Sequence, residues 1–483
     1  MEIKNWLSLT KEFIAAEMMD HMKLWRIYVL FPGLIFWINL LMAQDEDALM
    51  IKKIHNQALS AGQVYMNLTT LCRQHGGRIA GSDAYLGAAQ YGNTLLGNIP
   101  GVKSRLQDCS ASYWKRGDKE EVYMQHAKGS KVALEALSLG NSVSTPPEGI
   151  MARVIEVTSL DELEILGSEK IKGKIIFFNR PMDDTQIRTF SAYGGAVDQR
   201  VYGPSEAAKY GASAALVRSM TTSLDNFPHT GVTVYRDSTR RVPGLAVSTI
   251  DANKLSDALK QGEINVFIKT SCKTIGSRYA PNVIGEIRGS EFPDEIILVG
   301  GHLDSWDVGQ GAHDDGSGCM QSVEVLRILT SVGYKPKRTI RCVLFSNEEN
   351  GLAGGREYAE VSNQQKEFHL AAIESDAGGF SPRGFSFEAD TSVFTKYYRK
   401  VSGWLPLLES YGLHFEMGGS GADISPLKSQ KGLLVGLRPD SQRYFDFHHT
   451  AQDNIEAVNK RELELGAAAM ASLVFLIDKY GLR

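Results

Sequence analysis

GGHLDSWDVGQGAHDDGSG, Gly300 to Gly318, directly follows a run of apolar residues, Ile296 to Val299. The run is short, continuous and closed by glycines, so it reads as a buried parallel strand. Just past its carboxyl end stand His302, Asp304, Asp314 and Asp315. In open α/β sheets, ligands bind in the crevice outside the carboxyl ends of the strands. Imidazoles and carboxylates gathered there suit a hydrolytic zinc site. The plainer alternative is a polar surface loop whose Asp and Gly residues only make turns.

Three later segments repeat the arrangement. TIRCVLFSNEENG is apolar and β-branched from Thr339 to Phe345, then carries Glu348 and Glu349. HLAAIESDAGG sets a short apolar run before Glu374 and Asp376. GLLVGLRPDSQRYFDFHHTAQDN gives a strand from Leu433 to Leu437, then a loop with His448, His449 and Asp453. Buried carboxylates are costly unless paired or metal-bound, so four such matches in succession exceed what turn chemistry explains. Two zinc ions about 3.5–4 Å apart need a bridging carboxylate and further N/O ligands on each. The chain offers two candidate histidines, a choice of aspartates and two adjacent glutamates. One of those glutamates is free to bind metal while its neighbour acts as general base on a water whose pKa the metals lower to about 7. No Ser-centred elbow competes for the catalytic role.

These segments resemble those of the family-28 metallopeptidases, the co-catalytic zinc aminopeptidases and carboxypeptidases. The likeness runs through nearly the whole chain after residue 48. It implies that His302 and Asp376 hold one zinc, Glu349 and His449 the other, with Asp314 bridging and Glu348 as general base. Asp304 then corresponds to the carboxylate that orients His302 through its other ring nitrogen. The same resemblance implies a homodimer and short peptide substrates, and places Gly419, Ser420 and Asp423 of EMGGSGADISPL near the substrate, where a simple turn is the competing reading. Tyr444 stands between contact with a developing oxyanion and an ordinary buried aromatic role. His448 is expected to pack beside the ligand loop, Asp315 to shape the loop after the bridge, and Asp453 to support the His449 loop. No role is assigned to His313. Arg78, in the GGRIAGS turn, is expected to be structural.

The composition is that of a globular protein with a large core: 483 residues, 43% hydrophobic and 22% charged. A net charge of −4 leaves no electrostatic footprint for nucleic acid. Five scattered cysteines do not form a disulfide framework. Cys319 and Cys342 belong to apolar elements, and Cys72 with Cys109 is a candidate pair in an oxidising compartment. Near the amino terminus, Lys23 and Arg26 precede an apolar run from Ile27 to Leu41 that ends in Leu-Met-Ala before Gln44. Residues 1–43 thus have the pattern of a signal peptide whose natural start is Met22, with an uncleaved membrane anchor as the alternative. Either arrangement puts the remainder in a secreted or envelope location.

Residues 45–97 have helical spacing, broken at GGRIAGS. From 118 to 272 the pattern turns β-rich, with KGKIIFFNR as a strand and EAAKYGASAALVRS and VPGLAVSTIDANKL combining helix and strand. Within the resemblance this is an inserted protease-associated domain, leaving a discontinuous catalytic domain over 48–117 and 273–483. His229, in FPHTG, has two readings: a group lining the cleft, or a loop histidine on the surface. The expected fold is mixed α/β, a largely parallel-cored sheet with flanking helices plus that insert. The expected function is a di-zinc exopeptidase acting on dipeptides or short peptides. A broad-specificity aminopeptidase, a glutaminyl cyclase-like acyltransferase and a non-catalytic peptidase-fold binding protein are the alternatives, the last two opposed by the complete ligand set.

Overall fold

The computed structural model describes residues 46–126, 129, 131–236 and 240–482, so the signal-like segment lies outside the described residues. The chain forms two compact units, Met1–Lys53 and Ile54–Arg483, and both large sheets belong to the second. At the centre of the first sheet, four strands run parallel in the order Arg338–Phe345, Phe292–His302, Phe368–Glu374 and Leu433–Pro439. Their apolar runs explain this placement. Every residue of Arg338–Phe345 is buried, as is Phe292–His302 from Ile296 onward, the signature of strands covered on both faces. Antiparallel neighbours flank the four, and the outer pair Pro382–Glu388 and His414–Met417 is parallel within itself. Asn282–Ile287 and then Lys103–Gln107 lie on one side, and Pro382–Glu388 followed by His414–Met417 on the other.

Helices cover the sheet. Ala353–Gln364 places Tyr358 and Ala359 against Leu298, Val343 and Ala372. Ser317–Ser331, buried along most of its length, packs between the central strands and the carboxyl-terminal helix Lys460–Tyr480. The helical reading of 45–97 resolves into three helices: 46–61, Val64–His75 and Asp83–Gly97. An additional break falls at Gly62, where a Cβ would lie 2.2 Å from the Ala58 carbonyl. At the GGRIAGS turn Ser82 caps the next helix by accepting the Tyr85 N–H.

A second eight-stranded sheet occupies residues 121–269, with its middle strands Ile150–Val157, Ile175–Phe178, Ala214–Arg218 and Gly244–Val247 parallel. The segment expected to be β-rich is therefore itself α/β, with the helix Thr249–Gln261 among its connections. An antiparallel ribbon of Ser110–Lys115 and Lys273–Tyr279 carries the chain into this segment and back out. Ala192 and Ala196 of the segment share one hydrophobic cluster with Phe380, Tyr444 and Phe445. Among the described residues, no helix is long and apolar enough to cross a membrane. All five cysteines are buried free thiols, so the candidate Cys72–Cys109 pair is not joined.

Candidate metal centre

The four quoted segments leave the carboxyl ends of the four parallel strands, and their polar side chains meet there. His302 is the last residue of its strand. Its Nε2 lies 3.3 Å from Asp314 Oδ1 and 3.4 Å from Asp376 Oδ1. His449 Nε2 lies 3.1 Å from Asp314 Oδ2 and 3.1 Å from Glu349 Oε2. Asp314 therefore sits between the two imidazoles. Each ring spends its other nitrogen on a backbone carbonyl: His302 Nδ1–H donates to Asp304 O at 3.0 Å and His449 Nδ1–H to Thr230 O at 3.2 Å. Those bonds fix the tautomers and leave both Nε2 atoms facing the carboxylates.

Charge and burial agree with cation binding. Burial disfavours a charged His302, but Asp376 and Asp314 outweigh it and hold the imidazole well above its ordinary range. His449 behaves alike: burial opposes its charge, yet Glu349 and Asp314 raise it to about 9. Burial, reinforced by Asp314, lifts Glu349 to about 7. Asp314 Oδ2 and Glu349 Oε1 are buried without a hydrogen bond, a costly state for carboxylate oxygens that a cation relieves. His302, Asp314 and Glu349 present ligand atoms within 4.8 Å of one another, as do Asp314, His448 and His449, and His302, Asp315 and Asp376. The donor set of imidazole and carboxylate groups suits zinc.

Around this cluster Asp304 departs from its expected contact, while Asp315, Asp453 and Arg78 take structural roles. The Asp304 carboxylate does not contact the His302 ring closely (4.0 Å); its two oxygens accept the backbone N–H groups of Glu348 and Glu349 at 3.1 and 3.3 Å. Orienting His302 falls to the Asp304 carbonyl, because the carboxylate is already taken by two amides of the next strand's loop. Asp453 supports the His449 loop by tying it to the Asp314 segment: its N–H donates to Thr450 O at 3.3 Å, and its carboxylate accepts the N–H groups of His313 and Asp314 at 2.7 and 3.1 Å. Asp315 accepts the His302 and Gly318 amides, and the Asp314–Asp315 peptide is cis. His313, kept neutral by burial at a pKa of about 4, accepts the Gly379 N–H and stacks on Phe380. Arg78 is buried, donating to the carbonyls of Leu303, Gln310 and Gly311.

The cluster floors a cleft of about 800 Å³ lined also by Glu348, Tyr444, His448 and Arg356. Gly419, Ser420 and Asp423 do not line it. Asp423 is fully buried beside Glu374, whose carboxylate takes the Asp423 and Ile424 amides, and Ser420 bonds to Glu388. Sequence reasoning missed instead the residues that the inserted segment contributes: Phe190, Tyr193, Arg200, Tyr235 and Arg241. They stand 59 or more positions before the first metal motif, which begins at Gly300, and carry no pattern of their own; only packing brings them there. His229 is neither surface nor cleft-lining but buried, with Nδ1–H donating to His448 O at 2.7 Å.

A family model, Peptidase family M28, matches residues 282–474. Human carboxypeptidase Q is 34% identical over 86% of this chain and 84% of that protein. Its Xenopus laevis counterpart is 32% identical over 88% and 87%. The chain belongs to peptidase family M28. A crystal structure of a peptidase M28 precursor from Shewanella amazonensis superposes with a TM-score of 0.85 at 28% identity, covering 91% of this chain and 99% of that one. An aminopeptidase from Aneurinibacillus, 19% identical over 88% and 95%, shares the fold with a TM-score of 0.60. This M28 peptidase thus has a mixed α/β fold with its polar cluster at the strand ends that the family match spans.

Proposed function

We propose that this peptidase holds two zinc ions and releases single residues from dipeptides or short peptides with a free carboxyl terminus. The observation that carries the reading is Asp314, placed 3.3 Å from one imidazole and 3.1 Å from the other. His302 and Asp376 would hold one ion and Glu349 and His449 the other, with Asp314 shared. The ions supply Lewis acidity toward a water and the scissile carbonyl. Glu348 lines the cleft beside the cluster, its amide anchored on Asp304. Burial, together with Asp376, Glu349 and Asp304, pushes its carboxyl well above the usual range. A carboxyl so tuned accepts a proton from the attacking water and returns it to the leaving amine.

Arg200 favours a carboxypeptidase polarity. Its guanidinium is buried in the cleft wall, donates to Tyr193 OH at 2.7 Å, and has no carboxylate partner among the described residues, while its Nε is unbonded. A buried cation without a counterion is unfavourable, and the carboxylate of a substrate's last residue completes it. Phe190, Tyr444 and Phe445 offer an aromatic wall for that substrate's side chain. The carboxypeptidase relatives favour the same direction. The segment 118–272 is read as the protease-associated insert.

The test is a digest of one dipeptide series in free, amino-acetylated and carboxyl-amidated forms, with zinc counted on the same protein. Two zinc ions per chain and cleavage that tolerates acetylation but falls at least tenfold on amidation are expected. Efficient cleavage of the amides with none of the acetylated forms would turn the reading to an aminopeptidase.

A further inference from the structure

The FPHTG turn, residues 227–231, takes no part in that chemistry, yet it is bonded to the His448–His449 loop by three hydrogen bonds. His229 Nδ1–H donates to His448 O at 2.7 Å, Thr230 N–H to His449 O at 3.1 Å, and His449 Nδ1–H to Thr230 O at 3.2 Å. The nearby Arg200 Nη1, 3.5 Å from His449 Nδ1, cannot accept a proton, so Thr230 O is the acceptor that orients the ring. His449 itself has φ +63°, a left-handed backbone that a non-glycine residue adopts only when its surroundings hold it. The turn is tied from behind: His229 N–H donates to Ser219 Oγ at 2.9 Å and Thr230 Oγ1 to Ser138 O at 2.8 Å. Both anchors belong to residues 121–269, which form the second sheet. His229 is 1% exposed and burial keeps it neutral. It is therefore an uncharged strut with one donor aimed at one carbonyl.

We infer that the inserted segment sets the cation affinity of the His449 half of the cluster, with His229 as the positioning residue. Holding the His448 carbonyl keeps His449 in its left-handed conformation and aims Nε2 at Asp314 and Glu349. A chain that folds both sheets but loosens this turn keeps the His302 half and loses the other. The inference rests on the reading of His449 as a zinc ligand.

The experiment strips the full-length protein of metal, titrates it with Zn²⁺ by calorimetry, and counts bound zinc by mass spectrometry. Far- and near-ultraviolet circular dichroism of the metal-free proteins is recorded alongside. Wild type takes two ions and His449→Ala one. His229→Ala is expected to weaken one site by about 10–100-fold, the range for removing a group that orients a ligand, and to leave the other unchanged. His229→Gln, whose amide N–H can reach the same carbonyl, recovers most of the loss. Unchanged affinity at both sites in His229→Ala overturns the inference, as does equal weakening of both sites without recovery in His229→Gln. Two ions retained in His449→Ala would instead overturn the ligand reading beneath it, whatever His229→Ala shows.

Discussion

Glu348 and Glu349 are neighbours with the same side chain and opposite surroundings. Both line the cleft, but Glu349 meets His449 Nε2 at 3.1 Å, whereas Glu348 makes no ion pair with an imidazole among the described residues. The proposed division of labour between two adjacent carboxylates would then follow from which way each turns from the loop that Asp304 pins. Replacing Glu348 with Gln preserves shape and removes the proton acceptor. The expected result is full zinc occupancy with kcat reduced by about 10²–10⁴, checked by metal counting and steady-state kinetics on one preparation. Turnover within a factor of three of wild type would eliminate Glu348 as the base. The residue types were legible in the sequence, since imidazole and carboxylate have few uses together at a strand end. Their partners were not: Asp304 and Asp453 each accept two amides, and backbone donors leave no mark in a sequence.

Strand ends and the turns behind them decide how closely those side chains approach. Gly318 opens the helix Ser317–Ser331 against Ser375, and a Cβ there would lie 1.9 Å from the Ser375 carbonyl and 2.5 Å from the Asp315 carboxylate. Ser375 directly precedes Asp376, so the helix start and one proposed ligand cannot separate independently. Gly318→Ala should lower the thermal midpoint by several degrees, the usual result of overpacking by about 1–3 kcal/mol. It should also reduce zinc occupancy on the His302 side. Differential scanning calorimetry with and without zinc measures both; an unchanged midpoint and unchanged stoichiometry would contradict the packing argument. The strands themselves announced their places through unbroken apolar runs, and the loop EMGGSGADISPL did not. Its glycines signal close backbone approach, but the approach is to Glu374 and the sheet: a Cβ at Gly421 would meet the Glu374 carboxyl at 2.2 Å. Composition gave the tight packing and not its direction.

At the scale of the whole molecule, buried neutral histidines couple stability to pH. His55, stacked on Tyr411 at 3.9 Å with its Nε2 unbonded, is pushed by burial from 6.5 to about 4. His369 is held at about 4, also by burial. A folded-state pKa below the unfolded one means that the unfolded chain takes up a proton first as pH falls. The contribution is therefore whole above pH 6.5, is lost between 6.5 and 4, and amounts to about 3 kcal/mol for His55. His55→Phe, which keeps the ring contact and removes the titration, should lose less of its thermal midpoint than wild type between pH 7 and pH 4.5. Parallel slopes in the two proteins would show that His55 does not titrate across that range.

What the sequence determined alone is the parallel-cored α/β class and the short inventory of metal-competent side chains, because both are written locally: apolar runs of strand length, each ended by His, Asp or Glu. What the tertiary structure decided is everything that joins distant segments. Residues 121–269 form a second sheet and short helices, whose Phe190, Tyr193 and Arg200 wall the cleft, and an FPHTG turn hydrogen-bonded to His448 and His449. Those contacts depend on shape and hydrogen bonding across 200 or more positions, for instance the 219 between His229 and His448. A one-dimensional pattern carries no term for such contacts.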